Sequence, residues 1–140
     1  MSAIKGLAAS LATLGVAFLA VTWWALEAEG VAILRTSSLD GAPRSTHVWY
    51  VRDDGEVLLE AGAPENGWFA DVERTPELRI VEPDPLAGRY SAKILANPDG
   101  HERIRALLRG KYGWRDRWIG ILFDTSRSVA VRLTPAEASR

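Results

Sequence analysis

The chain has 140 residues, with 17 Lys and Arg against 18 Asp and Glu, two His and no Cys. A formal charge of −1 offers no basic field for nucleic acid, and the lack of Cys excludes disulfides, thiolate metal sites and cysteine nucleophiles. Two His are too few for a multi-histidine centre, so no metal site is expected.

From Gly6 to Leu26 the sequence carries no charge: GLAASLATLGVAFLAVTWWAL, bounded by Lys5 on one side and by Glu27 and Glu29 on the other. About 21 residues at a rise of about 1.5 Å give a helix of roughly 32 Å, enough to cross the hydrocarbon of a bilayer. A helix satisfies its own backbone hydrogen bonds there. Trp23 and Trp24 fall where an aromatic belt meets the headgroups. The expected organisation is a single-pass membrane anchor over residues 1–28 and one globular domain over residues 29–140. A secretory signal peptide is the competing reading, although the apolar run is long for one and no small-x-small cleavage site follows it. A helix lying on the membrane surface would need a polar face, and a buried core helix is usually shorter and amphipathic. Lys5 on a short N-terminal tail favours an inside N-terminus, with the domain on the periplasmic or extracytoplasmic side of the cytoplasmic membrane.

Beyond the anchor, Val31–Thr36 is a β-branched apolar run with strand character. Ser38-Leu39-Asp40-Gly41 reads as a turn, since Asp-Gly accepts positive φ at little cost. Pro43–Val51 alternates, with Ser45, His47 and Trp49 on one face and Thr46, Val48 and Tyr50 on the other. Asp53-Asp54-Gly55 makes a second turn and Glu56–Ala61 a third strand, completing a meander. Asn66 is placed to cap a short helix over Gly67–Arg74, which Thr75-Pro76 ends. Glu77–Val81 and Arg89–Leu95 are further strands, separated by a turn or bulge that begins at Asp84-Pro85. Asp99 is placed to cap a helix over Gly100–Gly110, whose apolar stripe is Ile104, Leu107 and Leu108. Lys111–Asp124 is aromatic, apolar and basic at once. It either packs on the domain or forms a patch suited to headgroups. Ser128–Leu133 is the last strand, followed by a short polar tail. About six strands with local turns predict an α+β, mainly β fold: a small barrel with two or three helices at its ends.

The run TSSLDGAPRSTHVWYVRDDGEVLLEAG, then NGWFADVERTPELRIV, RYSAKIL and a helix leading into KYGW, resembles the flavin- and deazaflavin-binding split β-barrels over roughly Val31–Leu133. That superfamily includes pyridoxamine-phosphate-oxidase-like proteins and deazaflavin-dependent nitroreductases. The pattern is most similar to the nitroreductase/quinone-reductase family. The resemblance implies that Arg44, Ser45 and Thr46, followed by Trp49 and Tyr50, hold a cofactor's phosphate and ring. It further implies that the backbone of Ala61, Gly62, Ala63 and Pro64 approaches the ring, and that Trp68 and Phe69 match a Trp-Tyr pair at the helix start. The implied cofactor is FMN. Deazaflavin fits less well, because Ser37-Ser38-Leu39-Asp40-Gly41 stands where those enzymes carry a basic Gly-Arg-Lys-Ser-Gly turn, and an Asp there repels an anionic tail. The altered turn is also compatible with no cofactor. No catalytic residue is named by the pattern.

Each of these residues has a plainer role open to it. Trp49, Tyr50, Trp68 and Phe69 can be packing, and Arg44 a solvated turn residue. His47 can donate a proton to a reduced quinone or serve as a hydrogen-bonded structural group. Three functions compete: an anchored flavin-type reductase with a lipophilic acceptor such as a quinone, a non-catalytic accessory subunit of a membrane electron-transfer complex, and a haem-binding protein using His47 or His101 as axial ligand. The expected partners are the lipid bilayer through Gly6–Leu26, other membrane-protein subunits and a second copy of the chain.

Overall fold

The structure, a computed structural model, describes residues 2–28 and 30–136, without the side chains of residues 2 and 3. Glu29 and the end of the polar tail, residues 137–140, lie outside the described residues.

Helix α1 spans Ser2–Glu27. It includes a stretch, Ile4–Glu27, long and apolar enough to cross a membrane or to serve as a signal sequence. It stands off the rest of the protein for most of its length; Leu7, Leu11, Leu14 and Leu19 are all exposed. Only its last turns are covered, where Ala25 is fully buried.

The remainder is α+β. Six strands, β1 (Val31–Ser37), β2 (Pro43–Asp53), β3 (Glu56–Ala61), β4 (Glu77–Glu82), β5 (Gly88–Ile94) and β6 (Val129–Pro135), close into a barrel in the order β1-β2-β3-β6-β5-β4. All neighbours are antiparallel. The β2–β3 hairpin turns at Asp54 and Gly55, both with positive φ (48° and 81°), the conformation that matches the twist of the flanking strands. Helix α2 (Gly67–Arg74) lies against β1 and contributes Trp68, Phe69 and Val72 to the barrel interior. Helices α3 (Asp99–Tyr112) and α4 (Trp114–Leu122) cover the outside.

Strand alternation separates two apolar clusters. Val48, Val57, Leu59 and Ala61 point into the barrel with Leu34, Ile80 and Val131. Trp49, Val51 and Leu58 point outward and are roofed by Ile104, Leu108 and Tyr112 of α3. The predicted faces of β2 are therefore the observed ones, and β3 is apolar on both faces because both are covered.

The predicted helix caps differ in detail. Asn66 occupies the cap position of α2 but its side chain makes no capping bond; its backbone carbonyl receives Phe69 and Ala70 N–H instead. Asp99 lies in the first turn of α3, with Pro98 at the cap. The segment Lys111–Asp124 resolves into the end of α3, a break at Gly113 (φ 56°) and α4. Positive φ is a conformation glycine adopts readily, and here it redirects the chain between two helices.

Candidate functional site

A cleft of about 620 Å³, within the size range of small-molecule sites, lies between the β2 and β3 side of the barrel, α2 and α4. Arg44, Ser45, Thr46 and Trp49 reach it from β2, Gly62 and Ala63 from the loop after β3, and Trp68 from α2. Seven of the eleven residues that the resemblance implicates thus line one cavity; Tyr50, Ala61 and Phe69 do not. Pro64, next in the loop, is not part of that lining.

Arg44 is held rather than free. Its Nε donates to Asp71 Oδ2 at 2.8 Å, and a Cβ on Gly67 would fall 2.7 Å from its Nη1. The guanidinium therefore lies directly over the start of α2, at a place only glycine leaves open. Asp71 is 3% exposed. Burial alone would raise its carboxyl, but hydrogen bonds from Thr36 Oγ1 (2.7 Å), Arg44 and Arg74 (3.3 Å) outweigh it and hold the group below its ordinary range. The ion pair fixes Arg44 while leaving its side chain 43% exposed.

Both tryptophans also serve the fold. Trp68 is buried and packs edge-on against Phe69, so only its margin reaches the cleft. Trp49 stacks on Tyr112 with ring centres 4.3 Å apart. Its Nε1–H donates to the Leu26 carbonyl at 3.1 Å. His47 lines the cleft and donates from Nδ1 to Glu27 at 2.5 Å. His101 is elsewhere, against the hydroxyl and carbonyl of Ser128. Asp40 is not a lining residue; it receives Ser38 Oγ and Ala42 N–H within its own turn, and the Ser38 hydrogen bond first of all lowers its pKa. The acidic turn that departs from the deazaflavin pattern therefore does not face the cleft.

Distant segments complete the cavity: Leu26 at the end of α1, and Ile119 and Phe123 in and after α4. They are brought there by a tight joint. Arg115 donates to the carbonyls of Ala25 (2.8 Å) and Ala28 (2.9 Å), a cation on the carbonyl end of a helix. Trp114 stacks on Trp24 and Trp118 lies against Phe18, with ring centres 5.4 and 5.6 Å apart. Lys111 Nζ donates to the Tyr50 carbonyl at 2.5 Å and sits 3.4 Å above the Tyr50 ring. Burial, aided by the charge of Arg115, pulls that amine down to about 8. Sequence reading missed this joint because its partners are far apart in the chain. The one local signal was the alternation of cations and aromatics in Lys111–Trp118.

A second element missed from the sequence supports the cleft from behind. Arg105 bridges Glu60 Oε1 (2.8 Å) and Asp116 Oδ1 (2.5 Å), with all three side chains 10% exposed or less. It ties α3 to the outer face of β3 and to α4. The signal available was Glu60 itself, the carboxylate within the apolar stretch Val57–Ala61.

No protein-family model and no curated protein matches the chain. Solved structures do. A conserved hypothetical protein, Rv2991 from Mycobacterium tuberculosis, superposes with a TM-score of 0.59 at 19% identity, covering 79% of this chain and 75% of that one. The fold is a split barrel. A Listeria innocua protein provisionally assigned as a pyridoxamine 5′-phosphate oxidase gives 0.56 at 17% identity, covering 89% of this chain and 94% of its own. HutZ, the haem storage protein from Vibrio cholerae, gives 0.58 at 13% identity, over 81% and 87%. At these identities the similarity establishes the split-barrel architecture and leaves the chemistry to the residues of the cleft.

Proposed function

We propose that this protein is a membrane-anchored split-barrel reductase of the nitroreductase/quinone-reductase kind, binding a flavin such as FMN in the cleft and serving a lipophilic acceptor such as a quinone. The carrying observation is the composition of the cleft wall. Phosphate-type groups (Arg44, Ser45, Thr46), ring-type groups (Trp49, Trp68) and the end of the apolar helix (Leu26) line one cavity.

The residues fit such a group. A guanidinium pre-set by Asp71, beside two hydroxyls, suits phosphate oxygens. Gly62 and Ala63 keep the wall low, so that a planar ring can approach backbone. A bound flavin would supply reversible two-electron chemistry, and the protein's part is to bind, orient and exclude water. His47, at the cleft edge and paired with Glu27, is positioned to hold a proton near an acceptor. The pyridoxamine-phosphate-oxidase assignment of the Listeria innocua relative supports a phosphate-bearing ligand in this fold.

The test is the absorbance spectrum of the full chain extracted gently from membranes, followed by titration with FMN. Uptake of FMN, weakened about 10- to 100-fold by Arg44→Ala, is expected for loss of a charge-assisted contact of about 1–3 kcal/mol, measured well below the melting temperature of the variant, which falls modestly because Asp71 loses one donor. A colourless protein that ignores FMN and co-purifies with stoichiometric membrane partners would replace this reading with the accessory-subunit one. A Soret band lost on His47→Ala would replace it with haem binding.

A further inference from the structure

The way α4 is fastened to α1 sets how deep the domain sits. Trp118 Nε1–H donates to Thr22 Oγ1 at 3.1 Å, its ring lies against Phe18, and Trp114 stacks on Trp24. α4 thus runs beside α1 from about Phe18 onward. The part of α1 clear of the domain, Ile4–Ala17, is about 14 residues, or roughly 21 Å at 1.5 Å per residue. A bilayer's hydrocarbon core is about 30 Å thick. If α1 spans, the level of Phe18–Trp23 must lie within the hydrocarbon or its boundary, and α4 lies there with it.

The surface of α4 suits that depth. Trp114, Trp118 and Ile121 recur at helical spacing on the side that meets α1. Ile121 is 79% exposed, and Phe123, just beyond the helix, 53%. The acid of α4, Asp116, is turned away and buried on Arg105. Arg115 is spent on α1 carbonyls, and Arg117 is exposed on a stem long enough to reach headgroups. Within Trp114–Leu122 this leaves an aromatic and apolar stripe with cations and no exposed acid, the composition of a helix at a lipid interface; the nearest exposed acid, Asp124, follows Phe123 beyond the helix and accepts from the Ser126 N–H.

We infer that α4 is an interfacial helix: its Trp114–Trp118–Ile121 stripe enters the same leaflet as the C-terminal third of α1, seating the barrel in the membrane surface. This rests on the reading that α1 spans the membrane. Because Leu26, Ile119 and Phe123 line the cleft, the seating puts that wall at the lipid boundary, where a membrane-dissolved molecule is delivered.

The chain has no Cys, so single-cysteine variants of the full protein can each carry one nitroxide. Ile121→Cys, Leu11→Cys and Ser91→Cys all alter exposed side chains, and Ser91 lies on β5, across the barrel from β2. In phosphatidylcholine–phosphatidylglycerol vesicles, collision with oxygen relative to a water-soluble nickel chelate reports depth. The ratio at residue 121 is expected to be several-fold above that at residue 91 and to approach that at residue 11. A water-like ratio at 121 with a lipid-like one at 11 overturns the seating and leaves the span intact. Water-like ratios at both 11 and 121 overturn the spanning reading, and the seating with it.

Discussion

Arg105 is the residue whose loss should damage the fold most per atom removed. Its guanidinium, 2.8 Å from Glu60 and 2.5 Å from Asp116, is the cation that neutralises two carboxylates 9% and 4% exposed. Burial opposes the guanidinium's charge, yet the two acids outweigh it and raise its pKa. Arg105→Met keeps most of the stem and removes the charge, leaving two like charges facing each other out of water. Removing one partner of a buried ion pair costs about 3–5 kcal/mol. In a domain of this size that lowers the melting temperature by on the order of 15 °C or more. The pH dependence has a definite sign. In the variant at least one carboxyl has its folded pKa raised above its unfolded value, so stability is greatest in acid and falls as pH rises through the folded pKa. The deficit should therefore be smaller at pH 5 than at pH 8. The assay is thermal and denaturant unfolding of the full chain in micelles, with Glu60→Gln/Arg105→Met/Asp116→Asn alongside. That triple variant should recover most of the loss, because the uncompensated charges are gone. A single variant that loses less than about 1 kcal/mol, or a triple variant as unstable as the single, refutes the account of a buried charge triad.

Asp71→Asn should cost about 2–3 kcal/mol near neutrality, since Thr36, Arg44 and Arg74 all donate to that carboxylate. Because the folded pKa of Asp71 is depressed, the wild-type advantage is present above the unfolded value near 4 and lost only as pH falls below it, which unfolding midpoints at several pH values will show. Lys111, pulled down to about 8 by burial and Arg115, is a lysine whose unfolded form holds its proton longer. The residue as a whole is exposed while its amine lies against the Tyr50 ring and the Gly30 and Tyr50 carbonyls, so with solvent screening allowed for, wild-type stability should rise by about 1 kcal/mol between about pH 8 and 10, and Lys111→Met should lose that slope. Tyr112, raised by burial, opposes the trend only above about pH 10, where its unfolded form ionises, so the window is read below that point.

The local parts of this protein were legible because local rules made them. The alternation of Pro43–Val51, the Asp-Gly turn and the Pro-terminated helix Gly67–Arg74 depend on residues within a few positions of one another, and each is in place. Arg44, Ser45, Thr46 and Trp49 were implied together by the family resemblance, and because they share one strand the structure sets all four along the same cleft. What was not legible is what α1, α3 and α4 bring from a distance. Leu26, Arg105, Arg115 and Phe123 are unremarkable in their own neighbourhoods, and their roles arise when the barrel places Glu60 and Trp49 opposite them. Asn66 shows the converse case. Its sequence position was that of a cap, but its backbone carbonyl, not its side chain, makes the helix-entry bonds.

The end of α1 is where fold and function meet. A tether needs only length and hydropathy, and a removed signal sequence needs no specific contact with the domain it leaves. The last turns of α1 make several: Leu26 accepts from Trp49, Ala25 and Ala28 from Arg115, Thr22 from Trp118, and Glu27 from His47. Ala25 is fully enclosed, and Leu26 forms part of the cleft wall. Stripping the helix away would leave the Trp49 and Trp118 indoles without these acceptors. It would turn the α1-facing side of α4 to water and open the cleft along the wall that Leu26 supplies. Under the proposed anchoring, each contact that fixes the helix's direction also fixes the depth of the cleft relative to the bilayer. On that proposal the same few residues set both where the protein sits and from which side its cavity is reached.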